Sequence, residues 1–111
     1  MANPRRGEVE AVIDGRPTTL CLTLGALAEL EAAFGAGDLV ELAGRFETGR
    51  LAAGDLVKVI AAGLRGAGHE VTATEVATMR IDGGAAGAAR LVAELLAATF
   101  GSPGEAAANP R

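Results

Sequence analysis

The spacing of hydrophobic residues changes once within the segment LCLTLGALAELEAAFG, residues 20–35. Leu20 and Leu22 alternate with other residues, as one face of a strand requires. The following apolar residues recur at spacings of three and four, as one face of a helix requires: Leu24, Leu27, Leu30 and Phe34. Thr23 is placed to cap this helix and Gly35 to end it in a left-handed conformation. The pattern predicts a strand that continues directly into a helix over residues 24–34.

The residues before this strand-to-helix connection predict a β-hairpin. Asp14-Gly15 is a favoured two-residue turn because both positions tolerate positive φ. A turn at this place pairs the residues of the two strands as follows: Ile13 with Arg16, Ala11 with Thr18 and Val9 with Leu20. Pro17 then falls in a non-hydrogen-bonded pair, where its missing N–H does no harm at a sheet edge. The hairpin should bury one face, formed by Val9, Ala11, Ile13, Leu20 and Leu22.

Further helices are predicted at about 38–47, 53–65 and 85–100, and a Thr72–Glu75 capping box opens a short one between the last two. The third helix presents an apolar face of Leu56, Val57, Ile60 and Leu64. The glycine cluster at 63, 66 and 68 is interpreted as the end of that helix. A phosphate loop would follow a strand and open a helix, whereas these glycines follow a helix.

The fold class predicted from these elements is α+β, mainly α, with an N-terminal β-hairpin followed by four to five short helices. Strands and helices do not alternate, which argues against a parallel sheet. Residues 7–101 are expected to form a single domain between a flexible N-terminus, 1–6, and a flexible C-terminal tail, 102–111.

Composition and charge narrow the function classes. The chain has 111 residues with 16 glycines and only three aromatic residues, so its core must be thin and we expect help from a partner or a homo-oligomer. The net charge is −4 with no basic stripe, which disfavours nucleic acid. A single cysteine, no visible signal segment and no long apolar run predict a soluble, cytoplasmic protein that does not enter the membrane.

The candidate chemical groups do not combine into a catalytic, cofactor or metal site. His69 lacks the second histidine of a zincin motif, and Cys21 has no base close to it in sequence. Glu31 falls at the flank of the apolar face of the first predicted helix, where it either reaches water or contacts a partner. We therefore expect a binding protein and not an enzyme.

The sequence resembles a known family in several segments. The hairpin, LTLGALAELEAAFG, DLVELAGRFETGRL, DLVKVIAAGLRGAGHEVT and the late TFG are similar to the small tail-assembly chaperones of gene transfer agents and siphophage-type tails. The similarity covers roughly residues 7–101. It implies a non-enzymatic protein that binds the tape-measure protein, brings the major tail (tube) protein to it and leaves before the particle matures.

A largely helical client would suit a helix-in-groove contact. The candidate partner-binding residues are Glu31, Phe34, Leu39, Leu42 and Phe46. The alternative for the apolar stripe of 39, 42 and 46 is that it packs the core of this chain. For the whole protein, one alternative is a structural tail or head–tail completion protein that is retained in the particle. Another alternative, a helix-turn-helix DNA regulator, is disfavoured by the acidic charge.

Overall fold

The computed structural model describes residues 3, 6–48 and 50–101. Two strands precede five helices, in the order β1 (Glu8–Ile13), β2 (Arg16–Cys21), α1 (Leu24–Phe34), α2 (Leu39–Glu47), α3 (Ala53–Gly66), α4 (Ala73–Val76) and α5 (Gly84–Phe100). The predicted α+β, mainly α class is confirmed. The flexible ends predicted for 1–6 and 102–111 lie outside the described residues, apart from residues 3 and 6.

The hairpin has the predicted turn and register. Asp14 and Gly15 both have positive φ, 53° and 78°, as a two-residue turn of this kind requires. The strands are antiparallel, with Val9 opposite Leu20 and Val12 opposite Pro17. Leu20 is fully buried on the face that was expected to pack against the helices.

The tip of the hairpin is held by the segment between α4 and α5. The Asp14 N–H donates to the carbonyl oxygen of Arg80 at 2.7 Å, and the Arg80 N–H donates to Asp14 Oδ1 at 2.8 Å. The Asp82 N–H donates to the carbonyl oxygen of Val12 at 3.0 Å. Residues 80–82 therefore cover part of the outer edge of β1.

Helix α3 is the central element of the fold. The sequence predicted one apolar face for this helix, but the structure buries more than one of its faces. It packs against α1, β2, α4 and α5. All six residues from Val59 to Leu64 are buried, whereas Leu56 and Val57 are only half-buried. Residues 59–64 of α3 are thus enclosed by the elements that pack around them.

The glycine cluster ends α3 as predicted, since Gly66 is the last residue of the helix and Gly68 follows it, but Gly63 lies inside the helix. Gly63 fits between β2 and α5: a Cβ there would lie 3.3 Å from Leu20 Cβ and 3.2 Å from Leu95 Cδ1. Gly66 lies directly against the backbone of β2, and a Cβ there would overlap the carbonyl oxygen of Cys21. Both glycines allow close packing, and only Gly68, beyond the helix end, has a positive φ, 98°.

Helix α1 has the predicted caps. Thr23 Oγ1 accepts a hydrogen bond from the Ala26 N–H at 3.1 Å, and Gly35 is left-handed with φ 68°. Leu24 was expected to belong to the buried face but is 79% exposed, because the buried face is formed by Ala26, Leu27, Leu30 and Phe34 and Leu24 lies about 100° of rotation from the centre of that face. Glu29 accepts a hydrogen bond from Arg65 Nε at 2.9 Å, which links α1 to the end of α3.

Candidate interaction surfaces

All three phenylalanines of the chain meet where α1, α2 and α5 end. The rings of Phe34 and Phe46 are 5.4 Å apart in an edge-on arrangement, and those of Phe46 and Phe100 are 6.5 Å apart. Arg45 and Lys58 lie 5.8 Å and 5.5 Å from the centre of the Phe34 ring, within the range of cation–π attraction. Arg45 also donates to the carbonyl oxygen of Phe34 at 3.0 Å. This aromatic cluster attaches α2 to the rest of the molecule.

The five candidate partner-binding residues fall in different environments. Phe34, Leu42 and Phe46 are core residues, with exposed fractions of 8%, 0% and 8%. Leu39 is 39% exposed and Glu31 is half-buried, so solvent reaches both. The described contacts of the three core residues are internal. A role of the five in partner binding stays a prediction.

The first turn of α2 carries exposed apolar side chains. Val40 is 83% exposed and, with Leu39, forms a surface that we call the α2 patch. Carboxylates flank the patch: Asp38 Oδ1 caps the helix by accepting from the Glu41 N–H at 2.8 Å, and Glu41 itself is exposed. The α2 patch is thus apolar at its centre and acidic at its border.

A second surface is an open apolar groove of about 460 Å³, which we call the α3–α5 groove. It is lined by residues of α3, α4, α5 and the segment between the last two: Ala53, Leu56, Val57, Ile60, Val76, Ala77, Met79, Arg80, Ile81, Gly84, Ala85 and Ala88. Arg80 is the only charged residue of this lining. Its guanidinium has no hydrogen bond or ion pair with any residue that the structure describes.

Groups that could support chemistry are dispersed. Within residues 3, 6–48 and 50–101, no three His, Cys, Asp or Glu side chains come together as a metal site would require. Cys21 is half-buried, with its Sγ 3.8 Å from the carbonyl oxygen of Arg6, and His69 lies in an exposed turn. None of the described helices has the length and apolarity needed to cross a bilayer.

Exposed apolar side chains and an apolar groove are features that surfaces in contact with other proteins commonly have. A family model described as phage tail tube protein, GTA-gp10, matches residues 6–102, nearly the whole chain. The chain therefore belongs to the GTA-gp10 family of phage tail tube proteins. Comparisons with curated proteins and with solved structures found no match.

This family assignment corrects part of the prediction from sequence. The resemblance to gene transfer agents and phage tails is confirmed. The prediction that the chain is a tail-assembly chaperone is wrong, because the family is one of tail tube proteins, which are structural parts of a tail. Binding to a tape-measure protein has no support from the match. The alternative of a structural tail protein agrees with the family better.

Proposed function

We propose that this protein is a structural, non-enzymatic component of a phage-type tail and stays in the finished particle. The observation that carries the proposal is the match to a tail tube family over residues 6–102. In this role the protein acts through its surfaces, by binding other tail proteins or further copies of itself.

The exposed surfaces support this proposal. An exposed valine such as Val40, at 83%, loses its unfavourable contact with water when another protein covers it. The α3–α5 groove likewise presents mainly aliphatic side chains around a single cation, Arg80. Assembly proteins commonly place apolar contact at the centre of an interface and polar groups at the rim.

The test is quantitative mass spectrometry of purified particles. Particles from producing cells are separated on a density gradient, and heads are separated from tails. The tryptic peptide of residues 81–90, IDGGAAGAAR, is measured against an isotope-labelled standard. We expect several copies per particle, recovered in a constant ratio to the other tail proteins and enriched in the tail fraction.

An abundant soluble host protein is measured in the same fractions to correct for carry-over from the lysate. Plentiful protein in the lysate combined with particle levels no higher than this carry-over would contradict retention. Recovery with the heads alone would contradict a place in the tail.

A further inference from the structure

We propose that copies of this protein associate head to tail, with the α2 patch of one copy seated in the α3–α5 groove of the next. The inference rests on the proposed function, because a repeated structural subunit needs contacts with its own kind. It goes further by assigning the two contacting surfaces and the partner of each.

The two surfaces lie on different parts of the molecule. Helix α2 packs mainly on α1, whereas the groove is lined by α3, α4, α5 and the segment before α5. Lys58 of α3 reaches the Phe34 ring, on the side of α1 and α2. Leu56, two residues away on the same helix, lines the groove. Two residues of an α-helix are separated by roughly 200° of rotation, so the two sides of α3 face in nearly opposite directions.

The surfaces are complementary in polarity and in charge. The α2 patch offers the aliphatic side chains of Leu39 and Val40, and the groove offers aliphatic walls. Its volume of about 460 Å³ is in the lower part of the range of about 300–1,000 Å³ typical of binding pockets, which suits a few side chains and not a whole helix. The carboxylate of Glu41 beside the patch is the natural counter-charge for the unpaired guanidinium of Arg80 at the groove.

The contact joins two different surfaces, so a pair of copies still has one free patch on one copy and one free groove on the other. Such a heterologous contact repeats, and it forms a ring if the rotation between copies closes or a filament if it does not. A symmetric dimer, in contrast, would use the same surface twice and stop at two copies.

The test uses the full chain and two blocking variants. Val40→Glu places a charge on the α2 patch at a side chain that is 83% exposed, so the fold does not depend on the valine. Ala85→Glu places a carboxylate in the groove, near the start of α5, where acidic residues are compatible with a helix.

Each blocking variant has a matched control. Leu24→Glu changes an equally apolar residue, 79% exposed, in the first turn of the neighbouring helix α1. Ala86→Glu makes the same change as Ala85→Glu one residue further along α5, at an exposed position outside the groove. Far-UV circular dichroism verifies that all four variants keep the helical content of the unmodified chain.

Association is measured by sedimentation velocity over a series of protein concentrations. We expect the unmodified chain and both controls to form species larger than dimers as concentration rises. We expect Val40→Glu and Ala85→Glu each to weaken association by about tenfold or more, since an apolar contact is lost and a carboxylate must give up its water among aliphatic side chains.

Mixing the two blocking variants tests the head-to-tail arrangement. Val40→Glu keeps an intact groove and Ala85→Glu keeps an intact α2 patch, so their mixture should form one-to-one dimers and nothing larger. The proposal is overturned if the unmodified chain stays monomeric, if a blocking variant associates as its control does, or if the mixture forms no dimer.

The outcome of the association experiments can be distinguished from the outcome of mass spectrometry on purified particles. Recovery of the protein in tails together with an unaffected Val40→Glu variant would reject this contact and leave the proposed function standing. Head-to-tail association in solution together with absence from particles would reject the proposed function and leave the contact standing.

Discussion

At the scale of single residues, the local rules identified turns and caps but not close approaches between distant segments. Asp14-Gly15 and the Thr23 cap depend on neighbours within a few residues, and both are observed as predicted. The need for glycine at position 66 comes from the close approach of Cys21, which is far away in sequence. The glycine cluster in the sequence indicated the helix end but not this contact. Arg45 likewise contacts Phe34 of α1, eleven positions earlier in the chain.

Substituting Gly66 tests its close approach to β2. Gly66→Ala puts a Cβ onto the carbonyl oxygen of Cys21, so α3 and β2 must move apart. We expect the free energy of unfolding, measured by urea denaturation, to fall by about 1–3 kcal/mol, as overpacking typically costs. Gly54→Ala in the same helix is the control, because a Cβ there meets nothing within 4 Å. It should leave stability unchanged or raise it by up to about 1 kcal/mol; equal effects of the two changes would argue against the close approach.

At the scale of elements, hydrophobic spacing predicted where the helices begin and end. It did not predict which helix lies at the centre of the fold and which lies at the periphery. Helix α1 spans the predicted residues, and α2 and α5 differ from prediction by one residue at their starts. The spacing in α3 predicted an amphipathic helix, yet its buried residues include Ala61 and Ala62. Because alanine occurs throughout this sequence, an alanine gives little indication of whether its position is buried. Only the arrangement of the other elements makes α3 central.

Helix α2 should be the least protected of the longer helices. It is attached mainly to α1, through Leu42 and the aromatic cluster, while α3 is enclosed. Hydrogen exchange followed by NMR should therefore show faster exchange for the amides of α2 than for residues 59–64. Phe46→Ala removes a ring that contacts both Phe34 and Phe100, and a buried Phe→Ala change costs about 3–5 kcal/mol.

We expect Phe46→Ala to abolish most protection in residues 39–47 and to leave residues 59–64 the most protected part of the chain. Glu47→Ala, an exposed neighbour, is the control and should leave the exchange rates of α2 nearly unchanged. An equal loss of protection in α2 and α3 would contradict a separately opening α2.

At the scale of the whole molecule, every strand and helix contributes to one hydrophobic core. Its members from β1 through α5 include Ile13, Leu20, Leu30, Leu42, Ile60, Val76 and Leu95. The fold class was predictable because the hairpin and helix patterns are strong. The candidate surfaces were not, since the α3–α5 groove combines residues 53–60 with residues 76–88 and no local pattern joins them.

A single core predicts cooperative unfolding. In urea, at a concentration where the chain is monomeric, we expect far-UV circular dichroism and the NMR signals of the hairpin to report the same midpoint. The slope of unfolding free energy against urea should fall in the range of about 1–3 kcal/mol/M that is typical of small proteins. A hairpin that unfolds at a lower urea concentration than α3 and α5 would show that the core is divided.

The backbone bonds between the hairpin tip and residues 80–82 also affect how the protein behaves when it is concentrated. The carbonyl of Val12 and the N–H of Asp14 on the outer edge of β1 are already used, and Pro17 in β2 lacks an N–H. A strand from another molecule thus finds fewer backbone partners at the tip of the hairpin. Edge-to-edge pairing of hairpins at their tips, the first step of amyloid-like stacking, is therefore disfavoured even when the protein is concentrated.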